Sequence, residues 1–296
     1  MVAVSCFDTL RIVRTEQQTD VNLASHWWPS ANDWKESLGP AADALLNIPN
    51  DSSNLIHRAV TQTKRTLGIA EGFRIVARKR IPAGAGMGGA SSDAAAAILG
   101  VARLTGVDRD DPRLPEIAAT IGSDVPFFLG IRTAGPKPER PSEAAIATGR
   151  GEKLKPFSLG RRLWFVVGFP RGGLSTAAVY RRAVVPAEPL RSEDCVAALT
   201  SGRPGAVQSA MSNRLSHPAQ CLSPLVGDLL STMNGCGLAS AMMTGSGSAC
   251  FGVCADRAAA LAGGDALRRQ WSAASGGGRV MVVSSVAASP RMKAYG

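Results

Sequence analysis

The sequence predicts an α+β protein in two domains, on three observations. Stretches with the period-two apolar pattern of strands are interspersed with stretches at helical spacing in both halves of the chain. At 296 residues, 45% hydrophobic and 19% charged, the chain can build two domains of ordinary size, each with an adequate core. A glycine-rich run over residues 82–92 leads straight into an alanine-rich helix. The domain boundary is placed near Pro156, giving units 1–156 and 157–296.

Residues 8–14 alternate apolar with polar and read as a strand open on one face. Residues 15–51 are less regular. They hold His26-Trp27-Trp28-Pro29 and a helix-capable stretch at 41–46, in a segment longer than a hairpin connection. Trp27 and Trp28 are read as packing for this insertion, with ligand contact as the alternative. A helix begins at Asn54, with capping residues available in Asp51-Ser52-Ser53. Residues 73–80 form the strand that delivers the glycine run.

That run, Pro-Ala-Gly-Ala-Gly-Met-Gly-Gly-Ala-Ser-Ser over 82–92, is suited to holding phosphate. Gly84, Gly86, Gly88, Gly89 and Ala90 let a ligand reach the backbone. Ser91 and Ser92 are good N-cap residues, and 93–104 has high helix propensity, so unpaired N–H groups and a positive dipole end face the loop. A plain glycine turn into a capped helix is the bland alternative, but four glycines in the six residues 84–89 exceed what a turn needs. Residues 84–89 also satisfy G-x-G-x-x-G. The dinucleotide motif requires a buried parallel strand before it and an acidic strand end after the helix, and neither is present. The phosphate loop ending in Gly-Lys-Ser/Thr is excluded because that ending is absent.

Residues 114–121 read as a short helix stopped by Gly122, 135–142 as a proline-rich loop, and 144–152 as a strand and turn. The continuous apolar run 162–168 is a buried strand. Helices follow at 175–182, 192–199 and 224–233. Segments 239–244 and 249–254 flank a second glycine turn, 257–271 is helical, and 279–286 is a last strand.

The net charge of +10 invites a nucleic-acid reading, yet the basic residues are scattered and only 5% of the chain is aromatic. A small anionic substrate uses the same field, and a solvated basic surface is the alternative. No segment approaches the ~18 apolar residues of a membrane span, and the first residues lack a signal-peptide pattern, which points to a cytoplasmic protein. Cys6, Cys195, Cys221, Cys236, Cys250 and Cys254 show no C-x-x-C spacing, so a reduced, mostly buried set is expected and a zinc site is not. His26, His57 and His217 are too dispersed for a metal cluster.

Three motifs, in order and at matching spacing, carry a family resemblance: residues 79–93, Gly-Ser-Asp-Val-Pro-Phe-Phe at 122–128, and Met-Thr-Gly-Ser-Gly-Ser-Ala at 243–249. The chain resembles the superfamily of galactokinase, homoserine kinase, mevalonate kinase and phosphomevalonate kinase (GHMP kinases). Within it, the 4-diphosphocytidyl-2-C-methyl-D-erythritol kinase family is the most similar. The resemblance implies a two-domain GHMP-kinase fold with the active site in the interdomain cleft, ATP and Mg²⁺ as cofactors, and a small cytidyl diphosphate substrate phosphorylated on its 2-hydroxyl in non-mevalonate isoprenoid precursor synthesis. It implies neither nucleic-acid nor membrane partners. Another superfamily kinase, of the homoserine or mevalonate type, is the alternative within enzymes. A nucleotide-binding pseudokinase is the non-enzymatic one.

Residue by residue, the resemblance places ATP at Pro82, Ala83, Gly84, Ala85, Gly86, Met87, Gly88, Gly89, Ala90, Ser91 and Ser92. It puts Asn54, Leu55 and Lys79 at the adenine border, where a helix cap and a solvated strand charge are the plainer readings. Asp124 becomes the catalytic acid–base group, against a structural turn aspartate. Tyr180 corresponds to a cytosine-stacking position, against a core or surface aromatic. Gly245 and Gly247 would let backbone approach the substrate or the first glycine loop, as would any hairpin turn. No metal ligand is assigned. The family opens with a lysine-bearing Pro-Ala-Lys-[IL]-Asn-Leu strand and a Gly-Tyr-His turn, and nothing before Asp8 matches them. The resemblance therefore implies that such a strand precedes Met1, or that the chain as written is inactive.

Overall fold

A computed structural model describes residues 1–16, 20–38, 43–130, 142–185, 188, 191–274 and 277–293. The expected proline-rich loop at 135–142 lies, apart from Ser142, outside the described residues. Strand β1 (Thr9–Thr15) pairs antiparallel with β3 (Gly72–Lys79), and β2 (Val21–Trp27) pairs parallel with the other edge of β3. β2 was not expected, because the sequence of this insertion gives only a weak alternation. Helices α1 (Ala31–Leu38) and α2 (Asp43–Leu46) follow it.

α3 (Leu55–Leu67) and α4 (Gly89–Leu104) cover this sheet, and α5 (Arg113–Ile121) and the single turn α6 (Val125–Phe128) pack on those helices. Phe73, Ile75 and Ala77 point from β3 into a core completed by Ile56, Val60, Ile98, Leu114 and Ile117. Asn54, rather than residues 51–53, caps α3: its side-chain oxygen accepts Ile56 N–H at 2.8 Å. Gly122 ends α5 in extended rather than left-handed backbone.

β4 (Ala144–Thr148) and β5 (Lys153–Phe157) form a hairpin that contains Pro156. The N-terminal segment touches this hairpin and the residue that follows β9 (Gly278–Ser284), with Val2 bridging Ala144 and Val4 bridging Ser285. The second sheet runs β7-β8-β6-β9, all antiparallel, from β6 (Trp164–Pro170), β7 (Met242–Met243), β8 (Cys250–Cys254) and β9 (Gly278–Ser284). Its other elements are α7 (Thr176–Arg181), α8 (Ser192–Ser201), α9 (Pro204–Ala210), α10 (Ser216–Leu222), α11 (Pro224–Gly235) and α12 (Arg257–Ala274). The short α9 and α10 were not expected.

Alternation along β6 separates two cores. Val166 faces Leu229, Met233, Leu267 and Trp271, while Phe165, Val167 and Phe169 face Ala198, Leu199 and Val207. The second of these cores also takes in Trp34 and Leu46 of the insertion and Ala85 of the glycine loop, so the insertion packs across onto the C-terminal lobe. Arg279 on β9 stacks over the Trp34 ring at 3.8 Å, and Trp27 meets Trp34 edge to face at 5.4 Å. Trp27 also donates to Leu46 O at 2.8 Å, as a packing residue should. Trp28 departs from that expectation: it is 50% exposed, with Arg78 over its ring. All six cysteines are unpaired, but only Cys250 and Cys254 are buried, which corrects the expectation of a mostly buried set.

Candidate active site

The glycine loop leaves β3 and enters α4 one turn earlier than its serines suggested. Helix α4 begins at Gly89, and its N-cap is Gly88 at φ +69, a left-handed conformation that glycine adopts without a Cβ clash. Ser91 and Ser92 are therefore inside the first turn and are not caps. Ser92 N–H already bonds Gly88 O, and its hydroxyl donates to Gly89 O. The N–H groups of Gly89, Ala90 and Ser91 precede the first intrahelical bond, and with the helix dipole they form an anion cradle. Gly84 and Ala90 are exposed beside it. Pro82 is buried at the loop's start, Ala83 is half-buried, and Met87 packs on the C-terminal core.

The second glycine turn docks directly on the first. Ser248 N–H donates to Gly84 O at 3.1 Å, Ala249 N–H to Ala85 O at 3.2 Å, and the Thr244 hydroxyl to Gly86 O at 3.0 Å. A Cβ at Gly86 would lie 2.2 Å from Thr244 O and 2.8 Å from Gly247 N, and a Cβ at Gly245 would lie 2.7 Å from Gly86 O. Gly245 and Gly247 thus meet the first loop, one of the two partners the sequence left open. Gly86→Ala is expected to cost about 2–5 kcal/mol, the sum of a left-handed alanine and an overpacked backbone contact. Gly106→Ala is the control, because Gly106 has φ +74 but open space around it. Equal urea midpoints for the two variants would show that loop docking contributes nothing.

Lys79 is placed by the period of its strand. Phe73, Ile75, Ala77 and Lys79 share the inward face of β3, so its ammonium enters the core at 3% exposure. There it donates to both Asp8 and Asp93, the latter on the buried stripe of α4 and also 3% exposed. Asp8 in turn accepts the N–H groups of Arg80 and Ile81, the first residues of the loop. Burial works against the Lys79 charge, but the Asp93 and Asp8 carboxylates outweigh it and hold the ammonium above its usual value. Burial pushes the Asp93 carboxyl up to about 7, opposed by Lys79 and assisted by Asp8. Two carboxylates share one cation. Asp8 was missed in the sequence because no spacing rule connects it to position 79.

Asp124 sits at the N-terminus of α6 and makes no capping bond. α6 packs on α4, and Phe128 lies 3.1 Å from where a Gly88 Cβ would stand, so Asp124 is carried on the element that braces the anion cradle. Burial raises its carboxyl pKa, partly countered by a hydrogen bond with Ser123. Gly151, in the β4–β5 turn, leaves room beside it: a Cβ there would stand 3.3 Å from Asp124 Oδ1. Asn54 and Leu55 open α3, and Asn54 Nδ2 donates to Pro49 O. Tyr180 is 61% exposed on α7, which rules out a core role. Thr176 at the start of α7 joins Ser246 of the second glycine turn, hydroxyl to hydroxyl, at 2.9 Å.

Two lobes meeting through a pair of glycine turns, one of them capping a helix braced by the element that carries Asp124, define a small-molecule kinase of the GHMP class. The N-terminal domain of the GHMP kinases matches residues 54–130 and their C-terminal domain residues 195–273. Along 276 residues the chain is 39% identical to a 4-diphosphocytidyl-2-C-methyl-D-erythritol kinase of Rhodopirellula baltica, covering 90% of this chain and 82% of that protein. A crystal structure of 4-(cytidine 5'-diphospho)-2C-methyl-D-erythritol kinase superposes with a TM-score of 0.65 at 32% identity, covering 94% of this chain and 85% of that one. Homoserine kinase from Cytophaga hutchinsonii shares the fold, at a TM-score of 0.67 and 18% identity over 97% of this chain and 88% of that one. The chain belongs to the 4-diphosphocytidyl-2-C-methyl-D-erythritol kinase family.

Proposed function

We propose that this chain transfers the γ-phosphoryl group of ATP to the 2-hydroxyl of 4-diphosphocytidyl-2-C-methyl-D-erythritol. The observation that carries the reading is 39% identity spanning both lobes to a kinase of that name. Phosphoryl transfer asks the protein to hold the triphosphate, offset its charge and align an acceptor hydroxyl. Residues 82–92 do the holding, through the N–H groups at the start of α4. Asn54 and Leu55 border the adenine. Lys79 acts on the nucleotide through the loop, since its ammonium is engaged by Asp8 and Asp93.

Mg²⁺ fits as a companion of the nucleotide. Among the described residues no group of three or more His, Cys, Asp or Glu could hold a metal ion, and Mg²⁺ is commonly held by substrate phosphates and water with few protein ligands. When bound, it neutralises charge on the phosphates. Asp124 accepts the proton of the 2-hydroxyl or orients that hydroxyl. Tyr180 stacks on the cytosine, for which its exposure leaves the ring free. Among the described residues no helix is long and apolar enough to cross a membrane. With ATP as the donor, the reading carries a cytoplasmic location with it.

The test is a coupled assay of ADP release with the cytidyl acceptor, homoserine and mevalonate in parallel. Turnover is expected with the first alone. Equal turnover of homoserine would overturn the acceptor assignment. Tyr180→Ala is expected to raise the acceptor KM about tenfold, as loss of a base–aromatic stack of roughly 1–3 kcal/mol implies, while leaving ATP affinity unchanged. An unchanged acceptor KM would remove the stacking role.

A further inference from the structure

The segment between β6 and α7 touches both glycine turns. Gly172 O accepts the Ser248 hydroxyl at 2.5 Å, and Leu174 O lies 3.4 Å from where a Cβ on Gly84 would stand. The Leu174 side chain reaches within 3.1 Å of the corresponding point on Gly247. Arg171 heads this segment, immediately after Pro170 ends β6. Its Nε is buried and has no hydrogen-bond partner, a condition otherwise met among the described side chains only by Ser25 Oγ. Arg171 also enters no ion pair among the described residues. A buried donor left unmade is costly, more so on a charged group, and a guanidinium is the side chain best shaped to meet phosphate oxygens. The segment that Arg171 heads lies against two glycine turns, and the orphaned N–H of its guanidinium is a donor lacking its acceptor.

We infer that Arg171 binds phosphate, and that its partner is the diphosphate of the acceptor. The inference rests on the acceptor proposed above, which carries a cytidyl diphosphate. The choice of acceptor over donor follows from position. The donor's phosphates have the N–H groups of α4, whereas the segment that Arg171 heads runs into α7, which carries the exposed Tyr180 proposed above for the cytosine. Arg171 then separates a cytidine diphosphate from a bare nucleoside, which makes it a determinant of specificity.

Calorimetric titration of the whole chain with CDP, cytidine and ADP tests this, using Arg171→Gln and Arg171→Lys beside the wild type. Arg171→Gln is expected to weaken CDP at least tenfold and to leave cytidine and ADP within twofold, with Arg171→Lys in between. Its Tm without ligand should be unchanged or higher, because the lost N–H had no partner in the protein. A lowered Tm with unchanged CDP affinity would make Arg171 a structural residue and overturn the inference. A loss confined to ADP would overturn the assignment to the acceptor. A wild-type chain that binds ADP but neither CDP nor cytidine would overturn the proposed acceptor, and this inference with it.

Discussion

Asp124→Asn is expected to lower kcat by roughly 10²–10⁴ while the dissociation constant for ATP changes less than about threefold. The substitution keeps the shape of the side chain at the start of α6, so the packing of Phe128 beside Gly88 survives and the anion cradle stays in place. What is lost is a carboxylate able to accept a proton. The pH profile adds an independent readout. Burial holds the Asp124 carboxyl above its ordinary value, so the base form is present only above that raised pKa and the rate falls as pH drops through it. The variant should lose this acid limb as well as the rate. Near wild-type turnover, with the acid limb retained, would return Asp124 to the role of a turn residue.

Lys79→Met is expected to cost about 3–5 kcal/mol in urea unfolding, because it leaves Asp8 and Asp93 buried side by side without their shared cation. Removing one of those charges as well should recover part of the loss, so Lys79→Met with Asp93→Asn should be more stable than Lys79→Met alone. Non-additivity of this sign separates charge pairing from simple loss of packing. A function attaches to the same trio: Asp8 fixes Arg80 and Ile81 at the start of the glycine loop, so the folded fraction of Lys79→Met should also bind ATP more weakly. If the single variant unfolds at the wild-type midpoint, the trio contributes no net stability.

Much of this molecule could be read along the chain. β1, β3, β6 and β9, and helices α3, α4, α5, α7, α8, α11 and α12, arise from local periodicity and lie within a few residues of where the sequence put them. Errors gathered at ends and in the insertion. A serine caps with its side chain and a glycine cannot, yet α4 starts at Gly89, because the loop needs left-handed backbone at Gly88 more than it needs a side-chain cap. β2 was missed because its stability comes from a parallel partner in β3, with paired residues 52 positions apart, and a weak local pattern cannot report a distant partner. Trp34 was overlooked because its burial is completed across the chain: it meets Trp27 of its own segment, but it seals a core whose other side is β6 and β9.

By itself the sequence determined the α+β class, the phosphate-holding character of residues 82–92 and the three motifs that carry the family, since these depend on residue type and short spacing. Only the tertiary structure decided that the two glycine turns face one another, backbone against backbone, because contact between residues 86 and 245 is invisible to any local rule. It also decided that Lys79 turns inward. The period of β3 pointed that way, but a lysine in a core is tolerable only when carboxylates meet it, and those come from position 8 and position 93 on separate elements. Local chemistry follows from neighbours in the chain, whereas burial and pairing of charge follow from neighbours in space.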